Sequence, residues 1–291
     1  LPIFGAGKGR SKRAAMPKPS AQDPGLRSPA VLVADLKTGE ILWSREADQP
    51  RSVASLSKLM AALVLLENHL DLDATQTITK EDKRLVKRGA PTRLKTGCAY
   101  SHWDLLHAAL MVSDNVAVVA MGRSMGWAPA EFGSRMTERA RELGLAQTRF
   151  EDPTGLAEGN ISTPREMFAI LQTALDNPIL RKISGTEVFT VWPAKGKARP
   201  IHYRHTDYRV QHHPWPVLGA KTGFTLAAQY CLAIASLLGE RQVGMVFLGS
   251  YGELTRFGDY ARTMRWLARQ MAAQAQQSST IPPKQPAHTR S

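Results

Sequence analysis

The two ends of this chain are written in one kind of pattern and its middle in another, and that division limits the folds open to it. Near the start, "PAVLVADLKTGEILWSREA" is a pair of β-rich runs around Lys37-Thr38-Gly39, where glycine supplies the positive φ of a tight turn. Near the end, "QYCLAIASLL" and "RQVGMVFLGS" flank Gly239-Glu240, and the short run "WPVLGAKTGFT" precedes them. Between these ends, residues 58–69, 103–111, 116–123, 129–143 and 163–175 place apolar side chains at helix spacing, with Pro129 and Pro164 at tolerated first-turn positions. Five strands drawn from both ends must close into one sheet around what lies between them. The pattern predicts an α/β (α+β) fold: a five-stranded antiparallel sheet flanked by helices, with a mostly helical insert.

With 291 residues and 43% hydrophobic content, the chain can bury one large core. Residues 1–25, rich in Gly, Pro and cations, read as a flexible basic tail, 26–272 as the folded domain, and 273–291 as a disordered tail. The balance of 38 Lys+Arg to 25 Asp+Glu, +13, favours anionic partners. Much of the visible excess sits in the front tail, at Lys8, Arg10, Lys12, Arg13 and Lys18, which argues against a dedicated nucleic-acid face and for loose attraction to an anionic envelope. Two cysteines, Cys98 and Cys231, make neither a disulfide framework nor a metal-ligand spacing, and are expected as buried thiols. No apolar run approaches the roughly 18 residues of a membrane span. The chain opens at Leu1 without the apolar core of a signal peptide, which reads as a processed N-terminus or a fragment.

"RSVASLSKLM" sets serines and a lysine at the head of an otherwise apolar helix. Ser55 and Lys58, three residues apart, share a helix face, so an amine reaches the hydroxyl and can act as its base. The "LMAALVLL" that follows offers the dry surroundings that lower a lysine's pKa, and the helix start offers free N–H groups to an oxyanion. The plainer alternative is an N-cap serine with a surface lysine. Ser52 has no lysine three residues on, and Ser57 faces elsewhere.

Two more motifs weigh against the plain reading. "MVSDNV" interrupts two apolar helices with Ser113-Asp114-Asn115, and "LGAKTGFT" carries Lys221-Thr222-Gly223 on a strand. A second Lys-Thr-Gly, at residues 95–97, precedes Ser113 in a loop and is set aside. In this order S-x-x-K, S-D-N and K-T-G form the set of penicillin-binding proteins and class A β-lactamases. Over about residues 30–265 the chain resembles low-molecular-weight penicillin-binding proteins, most of all D-alanyl-D-alanine endopeptidases of penicillin-binding protein 7/8 type, through "DLKTGEILWSREADQPRSVASLSKLMAALV", "DLLHAALMVSDN", "FEDPTGLAEGNIST" and "LGAKTGFT". Few residues follow the third motif, and they leave no room for the extra β-domain of related carboxypeptidases.

The resemblance implies the penicillin-binding protein/serine β-lactamase fold and a periplasmic serine D,D-peptidase that cleaves peptidoglycan cross-links, is acylated by β-lactams and needs no metal or cofactor. It implies that Ser55 attacks a D-Ala carbonyl, Lys58 takes its proton, and Ser113 relays a proton to the leaving amine. Asn115 would bind a substrate amide and Lys58. Lys221 would keep the Lys58 pKa low and attract the peptide carboxylate, while Thr222 and Thr225 bond substrate. Gly223 would let the peptide approach, and the backbone N–H groups of Ser55 and Phe224 would form the oxyanion hole. The chain departs from the close relatives at Ser57, where threonine is usual, and at Tyr230.

A D-alanyl-D-alanine carboxypeptidase is the nearest alternative. A β-lactamase would need a Glu with Asn four residues later between S-D-N and K-T-G, and none is there. A non-catalytic peptidoglycan-binding module would have lost one of Ser55, Lys58 or Lys221, and a nucleic-acid binder would carry a recognition motif. His202, His205, His212 and His213 could hold zinc by composition but lack a ligand motif, and read as a polar loop. Trp192, Tyr203 and Trp215 could form an aromatic wall, or pack.

Overall fold

Both ends of the chain meet in one sheet. The computed structural model describes residues 18–207 and 214–279, and side chains through 276. In order come β1 (Ala30–Asp35), β2 (Ile41–Arg45), β3 (Arg51–Ser52), a 3-10 turn (Ala54–Leu56), α1 (Ser57–Glu67), β4 (Thr75–Thr77), α2 (Lys80–Leu85) and β5 (Ala99–Ser101). The insert continues with α3 (His102–Met111), α4 (Asn115–Ser124), α5 (Pro129–Glu142), β6 (Ile161–Ser162), α6 (Pro164–Asp176) and α7 (Pro178–Ser184). Then follow β7 (Val188–Val191), β8 (Ile201–Arg204), β9 (Val217–Thr225), β10 (Gln229–Leu238), β11 (Arg241–Ser250) and α8 (Thr255–Ser279).

The five long strands lie antiparallel in the order β2-β1-β11-β10-β9, as the pattern predicts, with Gly39 at φ 73° and Gly239 at φ 61° in the two hairpin turns. β1 pairs β11 from Ala30↔Leu248 to Asp35↔Val243. Alternation along each strand assigns side chains to two faces. Leu32, Ala233, Val246 and Leu248 join the core under the helical insert, while Val31, Val33, Ile234, Met245 and Phe247 join a second core under α8. A sheet covered on both faces reads as continuous apolar runs, which is how β10 and β11 read. Within the insert, α1 is buried on every side from Ser57 to Leu65, and it packs against α3, α4, α5 and α6.

Packing extends to residues on either side of 26–272. Trp266 Nε1 donates to Ser20 O at 3.0 Å and Gln270 Nε2 to Ala21 O at 2.7 Å, so Ser20 and Ala21 lie on α8. At the other end α8 continues to Ser279. Its last turns are Ala- and Gln-rich, good helix formers with nothing apolar to bury, and burial was the signal that stopped short. The cations at 8–13 lie outside the described residues.

The two described histidines of the segment do not sit in a polar loop. His202 stands exposed on β8, its Nδ1 2.8 Å from Thr190 Oγ1, whereas His205 is fully buried with Nδ1 2.6 Å from Asp207 Oδ1. His212 and His213 lie outside the described residues. The aromatic wall also fails to assemble: Trp192 is exposed, Tyr203 is buried, and Trp215 packs edge-on to Tyr260 against the α8 side of the sheet. Cys98 and Cys231 are buried free thiols, as expected.

Candidate active site

Three chain segments that are distant in sequence converge where the 3-10 turn backs onto β9. Val53, not a serine, occupies the N-cap of that turn, which removes the capping role for Ser55. Ser55 is half-buried in the turn and Lys58 follows in α1 with only 1% of its surface exposed. Lys58 Nζ lies 2.9 Å from Ser55 Oγ, 2.7 Å from Asn115 Oδ1 and 2.5 Å from Thr154 O. Two of these three partners, a side-chain carbonyl and a backbone carbonyl, can only accept. A neutral amine has two hydrogens for them and one lone pair, and that lone pair is left facing the Ser55 hydroxyl.

Burial is the main cause of a Lys58 pKa lowered to about 7, against the opposing pull of Asp152 and Asp114. Lys221 is fully buried and its own pKa is lowered, first by desolvation and then by the positive charges of Lys58 and Arg256. The two amines repel, which disfavours having both charged at once.

The S-D-N bend lies between α3 and α4, as its polarity suggests. Asp114 caps α4 by accepting from Ala117 N at 3.1 Å, and takes a 2.6 Å bond from Thr92 Oγ1. That capping sets Asn115 in the first turn, aimed at Lys58. Ser113 adopts a left-handed backbone, φ 62°, and its buried Oγ has no hydrogen-bond partner among the described residues.

On β9, the edge strand, Lys221 Nζ donates to Thr222 O at 2.8 Å and Thr222 Oγ1 to Thr206 Oγ1 at 2.7 Å. Thr225 Oγ1 accepts from Ala228 N at 3.0 Å, which leaves its O–H free to donate. Gly223 presses against the 3-10 turn so closely that an added Cβ would sit 3.1 Å from Ser55 N. Phe224 is exposed and its ring stacks on Tyr230 at 4.3 Å between centroids. The other lysine motif, residues 95–97, is an exposed turn.

Four contributors escaped the sequence reading. Asp152 accepts from Thr154 N at 2.5 Å, Gly155 N at 3.0 Å and Ala157 N at 2.7 Å, folding the loop that delivers the Thr154 carbonyl to Lys58. Gly155, φ 85°, passes so close to the 3-10 turn that any Cβ would collide with Ala54 O. Asn160 ties this loop to the helix by donating to Ser57 Oγ at 2.9 Å and Asp152 O at 2.8 Å. Arg256, buried at the head of α8, donates to Gly223 O at 3.1 Å and lies 4.9 Å from the Tyr230 ring. The D-P-T-G turn could have flagged Asp152 and Gly155. Nothing local flags Arg256.

Residues 17–252 match the model of peptidase family S11, D-alanyl-D-alanine carboxypeptidase. The chain belongs to the S11 peptidases. This S11 peptidase is 33% identical over 242 residues to the D-alanyl-D-alanine endopeptidase of Pseudomonas aeruginosa, an alignment spanning 83% of the chain and 77% of that protein. It is 30% identical over 248 residues to the D-alanyl-D-alanine endopeptidase of Escherichia coli K12, spanning 85% and 79%. Among solved structures it is similar to the Streptomyces K15 DD-transpeptidase, with a TM-score of 0.78, 26% identity, and coverage of 85% and 98%. The protein is a serine D,D-peptidase with the penicillin-binding protein fold. No helix among the described residues is long and apolar enough to cross a membrane.

Proposed function

We propose that the protein cuts D-Ala-containing cross-links of peptidoglycan in the periplasm, as an endopeptidase working through an acyl-enzyme on Ser55, and that β-lactams acylate the same serine. The observation that carries the chemistry is the buried Lys58 amine, held by two acceptors with its third position at Ser55 Oγ. In this reading the lone pair takes the Ser55 proton as Oγ attacks the carbonyl. The oxyanion forms between the backbone N–H groups of Ser55 and Phe224, which the close approach of Gly223 brings together. The peptide lies along the open edge of β9 as an added strand, with Thr222, Thr225 and the Asn115 amide as bonding groups. Lys221 attracts the substrate carboxylate. The unpartnered Ser113 Oγ passes a proton to the leaving amine, and water then releases the acyl group. The catalytic domain in this reading is 26–272, with Ser20, Ala21 and the end of α8 packed onto it or extending from it.

The names of the two similar endopeptidases support cross-link cleavage. The description of the family model supports a second reading, removal of terminal D-Ala. Digestion of purified cross-linked and uncross-linked muropeptides, with chromatography of the products, decides between them. Dimers should be converted to monomers by the native protein and not by Ser55→Ala or by penicillin-treated protein. Release of D-Ala from monomers with dimers left intact would overturn the endopeptidase reading.

A further inference from the structure

Beside the S-D-N bend, three stretches that carry none of the three motifs, Lys83 of α2, residues 92–95 and residues 197–201, line a cleft of about 510 Å³. Lys83, Arg93, Lys95, Lys197 and Arg199 line it, with no acidic side chain among its lining residues. The nearby carboxylates are engaged elsewhere: Glu81 with Arg84 at 2.6 Å, Asp82 with Arg123 at 2.9 Å, and Asp114 with Thr92.

The walls are tied together. Ala99 N donates to Lys195 O at 2.9 Å and Ala194 N to Ala99 O at 2.8 Å, so the segment bearing Lys197 and Arg199 is pinned to β5. Arg93 donates to His202 O at 2.7 Å across the gap, and Lys95 N to Tyr100 OH at 3.1 Å. Like charges lining one cleft repel, the more so at low salt. An anion in the cleft relieves that repulsion, and the guanidinium forks of Arg93 and Arg199 match the geometry of a carboxylate.

The cleft also has a place in the fold. Thr92, which lines it, donates to Asp114 at 2.6 Å, so its wall is one hydrogen bond from the S-D-N bend. We propose that this cleft binds the carboxylates of the peptidoglycan peptide strand being cut, a proposal that rests on the cross-link reading above for the identity of the strand. A peptide strand presents carboxylates at its side chains and its end, and the cleft takes them. A polynucleotide would need faces to stack its bases, and the nearby Tyr203 ring is buried with the Arg93 guanidinium 5.5 Å above it.

The test reads binding separately from cleavage. In a Ser55→Ala background, a stem peptide with free carboxylates and its fully amidated counterpart are titrated at low and high salt. Lys95→Glu/Lys197→Glu/Arg199→Glu should weaken the free-carboxylate peptide about tenfold at low salt, with the loss shrinking at high salt and the amidated peptide unaffected. Arg141→Glu/Arg265→Glu/Arg269→Glu, an equal charge change on α5 and α8, should leave both peptides unaffected. The cleft variant should keep the native circular-dichroism spectrum and a cooperative urea transition, which shows that it folds. Equal losses in the two triple variants, equal losses for the two peptides, or no loss would overturn the proposal. So would a single-stranded oligonucleotide that displaces the peptide at lower concentration than a second carboxylate peptide does. Because binding is read on protein that cannot cleave, failure of the cleft and failure of the endopeptidase reading give different results.

Discussion

The two faces of the central sheet are packed for different ends. Under α8 the contacts are hydrocarbon, with Val31, Val33, Ile234, Met245 and Phe247 meeting Phe257, Met264 and Trp266, and the Ser236–Tyr260 hydroxyl pair at 3.0 Å set among them. Under the helical insert the same sheet borders Lys58, Lys221, Asn115, Ser57 and Asn160, all buried. Two residues there, Ala54 and Ser113, hold left-handed backbones without being glycine, a conformation that costs about 1–3 kcal/mol each. One face supplies stability, and the other consumes part of it to keep an amine dry beside a serine. Substitutions on the two faces should therefore separate stability from acylation.

The largest effect should come from Lys58→Arg, which keeps the charge and loses the ability to deprotonate near neutral pH. Acylation by fluorescent penicillin should fall about 10³-fold at every accessible pH. In the native protein the rate should climb through a pKa of about 7 and then level off. Folding stability should respond from about pH 7 upward. The unfolded chain keeps the Lys58 proton to about pH 10.4 while the folded chain gives it up near 7, so the unfolded state binds more protons and stability rises with pH between those values. Lys58→Met should flatten that rise in a urea titration series. A native acylation rate that is flat from pH 5 to 9 would remove Lys58 as the base.

The hairpins, the buried α1 and the Ser55–Lys58 pairing were legible because each is a matter of short-range period: alternation for strands, a three-residue step for a helix face. The Lys58 site was only half legible. Its second acceptor is the backbone carbonyl of Thr154, and a carbonyl looks the same at every residue until the Asp152 and Asn160 bonds fold the loop around it. Arg256 meets Gly223 across the sheet edge, a contact set by how α8 returns to β9 and not by any neighbour in the chain. The same limit explains the aromatic residues, close in sequence yet divided by the sheet, and the N-terminal Ser20 and Ala21, in a polar stretch that hid their backbone bonds to α8.

A smaller effect on chemistry, with a clear one on stability, is expected from the α8 face. Phe247 is completely buried there, and Phe247→Ala should cost about 3–5 kcal/mol in denaturant unfolding. Protein that remains folded at low temperature should still be acylated at the native rate. Should the alanine variant not fold, Ile234→Val, at about 0.5–1.5 kcal/mol, keeps the comparison measurable. A drop in acylation matching the drop in stability would mean that the two faces are coupled and the division drawn above is wrong.

The smallest effect, and the most discriminating, belongs to Ser57, which touches the site without being turned toward it. Its Oγ donates to Ala54 O at 2.7 Å and accepts from Asn160 Nδ2 at 2.9 Å, so it joins the 3-10 turn to the loop that carries Thr154. Ser57→Ala removes both bonds but leaves Asn160 Nδ2 its second acceptor, Asp152 O at 2.8 Å. The expected loss is about 1–3 kcal/mol of stability for a buried donor deprived of one partner. Acylation should slow only a few-fold, roughly 1 kcal/mol of barrier, because the Lys58–Ser55 contact does not pass through Ser57 while the placement of the Thr154 carbonyl does. Penicillin labelling and urea unfolding of the same variant give both numbers. Loss of labelling as deep as in Lys58→Arg would put the Ser57 hydroxyl in the proton path, whereas an unchanged unfolding midpoint would mean that the polar contacts under the insert add no stability, and that the site is held in place by hydrocarbon packing after all.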